Sequence, residues 1–177
     1  MKYLKYFESK KDIDSICNRY GIDDYTVNPD GTVDVDGNVN LYNKGLDEIP
    51  LKFGYVSGYF DCGNNKLTSL EGSPREVGGY FDCRYNQLTS LEGAPRKVGE
   101  GFYCGSNQLT SLLGGPEEVG GYFNYLSNPL PKEILDNYKY TDKIVKYQYD
   151  YNIWRRDGSL DKYRFSDMMK EIMEEKK

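Results

Sequence analysis

The chain repeats itself every 21 residues, and that period limits its fold more than any other feature. The stretches YFDCGNNKLTSLEGSPREVGG, YFDCRYNQLTSLEGAPRKVGE and GFYCGSNQLTSLLGGPEEVGG begin at Tyr59, Tyr80 and Gly101. A fourth copy, YFNYLSNPL, begins at Tyr122, and a degenerate one, NVNLYNKGLDEIPLKFGYVSG, begins at Asn38. Val39, Phe60, Phe81, Phe102 and Phe123 form one column, and Leu41, Cys62, Cys83, Cys104 and Tyr125 form the next. Further columns are Asn65, Asn86, Asn107 and Asn128; Leu67, Leu88, Leu109 and Leu130; Ile49, Leu70, Leu91 and Leu112; and Val56, Val77, Val98 and Val119. One such unit cannot bury its apolar side chains alone, so neighbouring copies must stack into a solenoid.

The order of residues within a period predicts the path of one turn. Phe-x-Cys places two side chains on one side of a short strand. A turn with Asn follows, then Leu-x-x-Leu, then a Gly-Pro return too rich in breakers for a long helix. The Asn amides are expected to face inward and satisfy main-chain groups, because a buried amide without partners costs about 1–3 kcal/mol. In the central copy the motif reads Phe81-x-Cys83-x-x-Asn86-x-Leu88-x-x-Leu91. This pattern resembles the leucine-rich repeat at the short end of its length range. With the wording LTSLEG-x-P-x-x-VGG, it is similar to leucine-rich-repeat proteins often encoded by bacteriophages and some bacteria. Five stacked strands would make a ribbon only about 20–25 Å tall, sized for a few partner side chains.

A solenoid needs covers at its ends. Leu4, Phe7, Ile13, Ile16, Cys17 and Tyr20 recur at helical spacing before Gly21, and Tyr25–Val27 and Val33–Val35 flank the hairpin turn Asn28-Pro29-Asp30-Gly31. After Pro129 and Pro131, helices are expected near 132–137, from Thr141 (as N-cap) to Tyr151, and around Leu160, Phe165, Met168, Met169 and Ile172. The expected organisation is therefore an N-terminal helix and hairpin cap at 1–37, repeats at 38–130 and a helical C-terminal cap at 131–177. The fold class is an α/β repeat solenoid: a leucine-rich-repeat parallel β ribbon with helical caps and an N-terminal β-hairpin.

Composition removes most chemistry. The 177 residues contain no histidine, which excludes Ser-His-Asp and Cys-His catalysis and Cys/His zinc sites. A net charge of −5 argues against generic binding to nucleic acid or anionic membranes. No run of 18 apolar residues exists, and MKYLKYFESK lacks the apolar core of a secretory signal, so a cytoplasmic location is expected. Cys62, Cys83 and Cys104 share a column with Cα atoms about 5 Å apart, but parallel neighbours point their Cβ atoms side by side, so they read as small buried hydrophobes. Asp34-Val35-Asp36-Gly37-Asn38 fails the EF-hand spacing, and Val-Gly-Gly is neither a P-loop nor a dinucleotide fingerprint. No metal and no cofactor is expected.

What remains is a surface. In a leucine-rich repeat the residues flanking the two inward ones face the concave side, and the resemblance implies that this side binds partners. Three columns result: Asn38, Tyr59, Tyr80, Gly101, Tyr122; Asn40, Asp61, Asp82, Tyr103, Asn124; and Tyr42, Gly63, Arg84, Gly105, Leu126. Tyrosine with aspartate and arginine is interface chemistry, though cross-strand stacking of tyrosines also stabilises a sheet without a partner. Asp61 and Asp82 are expected to form a solvent-facing acidic strip; paired carboxylates are the one enzymatic route left open, and nothing encloses them. The candidate partner-binding residues are Tyr42, Tyr59, Asp61, Tyr80, Asp82, Arg84, Tyr103, Tyr122 and Asn124. An alternative site gathers Tyr149, Trp154, Arg155 and Arg156, near Tyr138, Tyr140, Tyr147 and Tyr151, as a stacking and basic cluster.

The expected function is a non-catalytic protein-binding module with one protein partner, no DNA and no membrane. The resemblance implies a phage factor acting on a host protein, in host takeover or counter-defence. Two other classes stay open: a small-ligand or nucleotide binder at the C-terminal cap, which would need an enclosed pocket there, and a virion or structural component.

Overall fold

A computed structural model describes residues 10–175. Lys10–Tyr20 forms α1, with Ile13 and Cys17 buried on its inner side. Gly21 ends it at φ 66°, and the Ile22 N–H returns to the Cys17 carbonyl over 2.9 Å, the left-handed stop that glycine permits. Leu4 and Phe7, expected on the same helix, lie outside the described residues. Tyr25–Val27 (β1) and Val33–Val35 (β2) pair antiparallel across the Asn28–Gly31 turn, as their alternation predicts.

The chain then winds as a β-solenoid of about four turns, 21 residues each. Val39–Asn40 (β3), Phe53–Val56 (β4), Phe60–Asp61 (β5), Glu76–Val77 (β6), Phe81–Asp82 (β7), Lys97–Val98 (β8), Phe102–Tyr103 (β9), Glu118–Val119 (β10) and Phe123–Asn124 (β11) follow in order. Strands β3, β5, β7, β9 and β11 form one parallel ribbon. Strands β2, β4, β6, β8 and β10 form a second, with β1 on its outer edge. The return segment therefore carries strands of its own, short because glycine and proline flank each Glu-Val or Lys-Val pair. Val35 sits opposite Val56, so the valine column begins one turn before Val56, inside the hairpin.

Each rung is tied to the next by main-chain bonds at three places. On the Phe ribbon, the N–H groups of Phe60, Cys62 and Asn64 donate to the carbonyls of Tyr80, Asp82 and Arg84. On the Val ribbon, Gly99 N–H donates to Val77 O, and between the ribbons Gln87 N–H donates to Leu67 O. The Val ribbon demands glycine where turns meet most closely. A Cβ on Gly78, Gly99 or Gly120 would fall 2.2, 2.0 or 2.1 Å from the carbonyl oxygen of the rung before.

The interior holds the predicted columns. Phe60, Phe81 and Phe102 stack at centroid distances of 5.4 Å, and Phe102 meets Phe123 at 4.9 Å. Leu67, Leu70, Leu88, Leu91, Leu109 and Leu112 are fully buried beside them. The Asn column works as a stitch between turns. Asn86 Nδ2 donates to Cys83 O in its own turn and to Cys62 O in the turn before, and its Oδ1 accepts from Leu67 N–H. Asn107 and Asn128 repeat this pattern one and two turns on.

After the last rung come Lys132–Asp136 (α2), a 3-10 turn at Tyr138–Tyr140, Thr141–Tyr147 (α3) and Lys162–Glu174 (α4). Tyr125 takes the place of cysteine in the final Phe-x-Cys pair; its hydroxyl donates to Ile134 O, and its ring meets Tyr138 edge-on at 5.3 Å. Phe165, Met168, Met169 and Ile172 are buried along α4. Two local expectations are corrected. Thr141 is the first helical residue and not the N-cap, with its hydroxyl turned back to Tyr138 O, and α3 stops at Tyr147 rather than Tyr151. No helix among the described residues is long and apolar enough to cross a membrane.

Candidate functional site

The outward side chains of the Phe ribbon converge in its middle turns. Tyr59 and Tyr80, one turn apart in register, stack with centroids 4.8 Å apart and planes 3° from parallel. The next place in that column is Gly101. Tyr103 folds over the gap this glycine leaves and meets Tyr80 edge-on at 6.2 Å. Arg84 lies over the other side of Tyr103, its guanidinium carbon 5.1 Å from the ring centroid. Tyr59, Tyr80, Tyr103 and Arg84 thus form one continuous patch.

Asp61 and Asp82 are register partners on β5 and β7, as predicted, but they are not an evenly solvated strip. Asp82 is only 5% exposed. Its Oδ1 accepts from Arg84 N–H at 2.9 Å and from Nε at 3.0 Å, and its Oδ2 accepts from Nε at 2.9 Å and from Nη2. The two-residue spacing lets the arginine curl back over its own strand and cover the carboxylate, which the sequence pattern treated as free. Asp61 has no such cover, because Gly63 stands where Arg84 would be. Its Oδ1 accepts from Gly63 N–H at 2.9 Å, and its Oδ2 accepts from no group among the described residues. Partial burial, and then the charge of Asp82, push the Asp61 carboxyl above its ordinary value against the Gly63 N–H and Arg84. Burial, followed by the charge of Asp61, likewise raises the Tyr80 phenol.

The other predicted residues of this face spread outward from that centre. Tyr42 is 49% exposed, one turn before Gly63. Asn40 and Asn124 stand in the Asp column at the two ends, accepting from Tyr42 N–H and Leu126 N–H as Asp61 accepts from Gly63. Tyr122 is exposed but leans on Tyr138 at 6.1 Å, so it belongs partly to the packing of the C-terminal segment.

Tyr85 extends the site and was not among the predicted residues. It is 58% exposed and adopts φ 56°. Its column, immediately before the buried asparagines, reads Asn43, Asn64, Tyr85, Ser106 and Ser127, all at φ between 53° and 61°. Asparagine tolerates the left-handed conformation, whereas a bulky aromatic at this φ is an outlier. The sequence signal was a lone aromatic in a column otherwise small and polar.

The alternative cluster does not converge. Trp154 is buried, with Nε1 donating to Gln148 Oε1 at 2.8 Å. Tyr149 OH donates to Gly115 O at 2.8 Å, Tyr151 OH to Glu171, and Tyr147 OH to Glu175 at 2.8 Å. Arg155 and Arg156 are exposed, the former 3.5 Å from Asp161. An open groove of about 610 Å³ runs between the end of the Val ribbon and α3, but Tyr147 is the sole member of that cluster lining it. Its charged walls are mixed, with Lys97, Lys143 and Lys146 facing Glu117, Glu118 and Asp142.

The cysteines take no part in a site. Cys17, Cys62, Cys83 and Cys104 are free and buried, and burial pushes all four thiols upward, Cys17 to about 11. Such thiols are poor nucleophiles at neutral pH. Comparisons with models of protein families, with curated proteins and with solved structures find no match.

Proposed function

We propose that this chain is a non-catalytic protein-binding module of the leucine-rich-repeat type, with its helical segments serving as caps. Its partner engages the outer face of the Phe ribbon, the concave side in that repeat class. The observation that carries this reading is Tyr85, an exposed aromatic held at φ 56° next to Arg84, in the turn that follows β7. Cross-strand stacking accounts for Tyr59 and Tyr80 without a partner. It does not account for a tyrosine that packs outward in a conformation its neighbours leave to asparagine and serine. The turn sets this φ in every copy but does not require a bulky residue there, and a costly residue choice that the fold does not need is a mark of function.

The wording of the repeats supports a role for the protein as a phage-type factor acting on a host protein in the bacterial cytoplasm. Affinity capture from the native cell tests the reading, using the wild-type chain beside Tyr80→Ala and Tyr85→Ala. The expected result is one stoichiometric protein retained by the wild type and lost from both variants, with melting unchanged for Tyr85→Ala. A small molecule released on denaturation, or co-purification with virus particles, would replace this reading with one of the other two classes. Equal capture by all three chains would move the site off this face.

A further inference from the structure

Asp82 and Asp61 occupy equivalent places on adjacent turns, yet among the described residues one is gripped by a cation and the other is not. At Asp82, Arg84 curls back and grips both carboxylate oxygens. At Asp61, the residue two places on is Gly63, and its main-chain N–H is the only donor among the described residues. Resting on the protein-binding reading above, we infer that the partner supplies the missing cation: an arginine side chain that docks on Asp61 as Arg84 docks on Asp82, against the edge of the Tyr59–Tyr80 stack.

Three features of the site support this assignment. Asp61 is half-buried beside a second carboxylate, and its bond from Gly63 N–H is one that asparagine makes at the same place in other turns, so its charge returns nothing to the fold. Its Oδ2 has no donor among the described residues, whereas a guanidinium offers a planar fork that reaches carboxylate and aromatic edge together. Arg84 does not take this place. It is committed to Asp82 and leans over Tyr103, toward the next turn and away from Gly63. The arrangement Asp82–Arg84–Tyr103 is therefore a template, within this chain, for the contact that Asp61 lacks. The net charge of −5 favours approach of a basic surface.

The Gly63 amide proton reports on this site, because it donates to Asp61. The test is an NMR titration of the full chain with the capped tripeptide Gly-Arg-Gly, beside the neutral isostere Gly-citrulline-Gly. The expected result is a saturable shift of the Gly63 amide with the arginine peptide, about tenfold weaker or more with the citrulline peptide, and its loss in Asp61→Asn. Asparagine is tolerated at this place, since Asn40 and Asn124 make the equivalent main-chain bond. No saturable shift, or an equal response from citrulline, or an unchanged response in Asp61→Asn, would each overturn the assignment. This experiment needs no natural partner. Its failure with Tyr85-dependent capture intact would leave the protein-binding reading standing on other contacts.

Discussion

Tyr103 lies across Gly101: a Cβ on that glycine would fall 2.4 Å from the tyrosine hydroxyl. The aromatic row of the Phe ribbon therefore continues through the third turn by borrowing a side chain from the next column. Gly101→Ala forces Tyr103 outward and breaks its edge contact with Tyr80 and its face contact with Arg84. Each contact is worth about 0.5–1.5 kcal/mol, so the expected loss of stability is roughly 1–2 kcal/mol, with solenoid circular dichroism retained. Denaturant melts check this, and a variant as stable as the wild type would show that Tyr103 rests on Gly101 without holding anything.

The asparagine stitch should be far less tolerant. Asn86→Ala strands Leu67 N–H in the interior, leaves the carbonyls of Cys62 and Cys83 with the amides of Asn65 and Asn107 alone, and opens a small void. At about 1–3 kcal/mol for a buried group left unpaired, the expected cost is on the order of 3 kcal/mol. Asn65 lies nearer the surface, so Asn65→Ala should cost less. Equal melting midpoints for the two variants would contradict the buried-ladder account.

Acid titration separates Asp61 from the other carboxylates. Its folded-state carboxyl is raised above the ordinary value of 3.8, mainly by burial and then by Asp82. The folded protein therefore holds the proton more tightly than the unfolded chain. Below the ordinary value both states are protonated and nothing is lost. As pH rises from there through the raised folded value, the native state loses stability, and the burden is complete above it. Asp30, Asp157 and Asp161 shift the opposite way, so the informative quantity is the difference between Asp61→Asn and the wild type. That difference in melting temperature should grow in favour of the variant as pH rises from the ordinary value of 3.8 through the raised folded value, and then level off. A difference that is flat or reversed would mean that Asp61 is not desolvated.

The solenoid was legible in the sequence because its signal is redundant: one missed column leaves five others in phase. Phe81, Cys83, Leu88 and Leu91 each point inward as the period requires. The second ribbon was harder to see. Its strands show only two to four residues apiece, and their outward places, Tyr55, Glu76, Lys97 and Glu118, have no common chemistry. The candidate site was legible as a face but not as an arrangement. Period and spacing place Asp61 and Asp82 identically, and the difference between them lies in one side chain, Arg84, folding back across its own strand. Tyr85 stayed hidden because its φ is a property of the turn, which residue type alone does not disclose.

At Tyr85 stability and binding should move in opposite directions. Its φ of 56° is the conformation that Asn43 and Asn64 adopt in the equivalent turns. A residue with an ordinary side chain pays about 1–2 kcal/mol for the left-handed region, and asparagine pays less. Tyr85→Asn should therefore stabilise the protein by up to about 1 kcal/mol, raising the melting temperature while removing an exposed ring. If the ring is a partner anchor, the same substitution should weaken partner affinity by about tenfold or more. Parallel measurement of melting and of partner affinity decides the matter. A stabilised variant that binds as well as the wild type would leave the strained tyrosine without a purpose on this face, and a destabilised one would show that its ring packs against the solenoid after all.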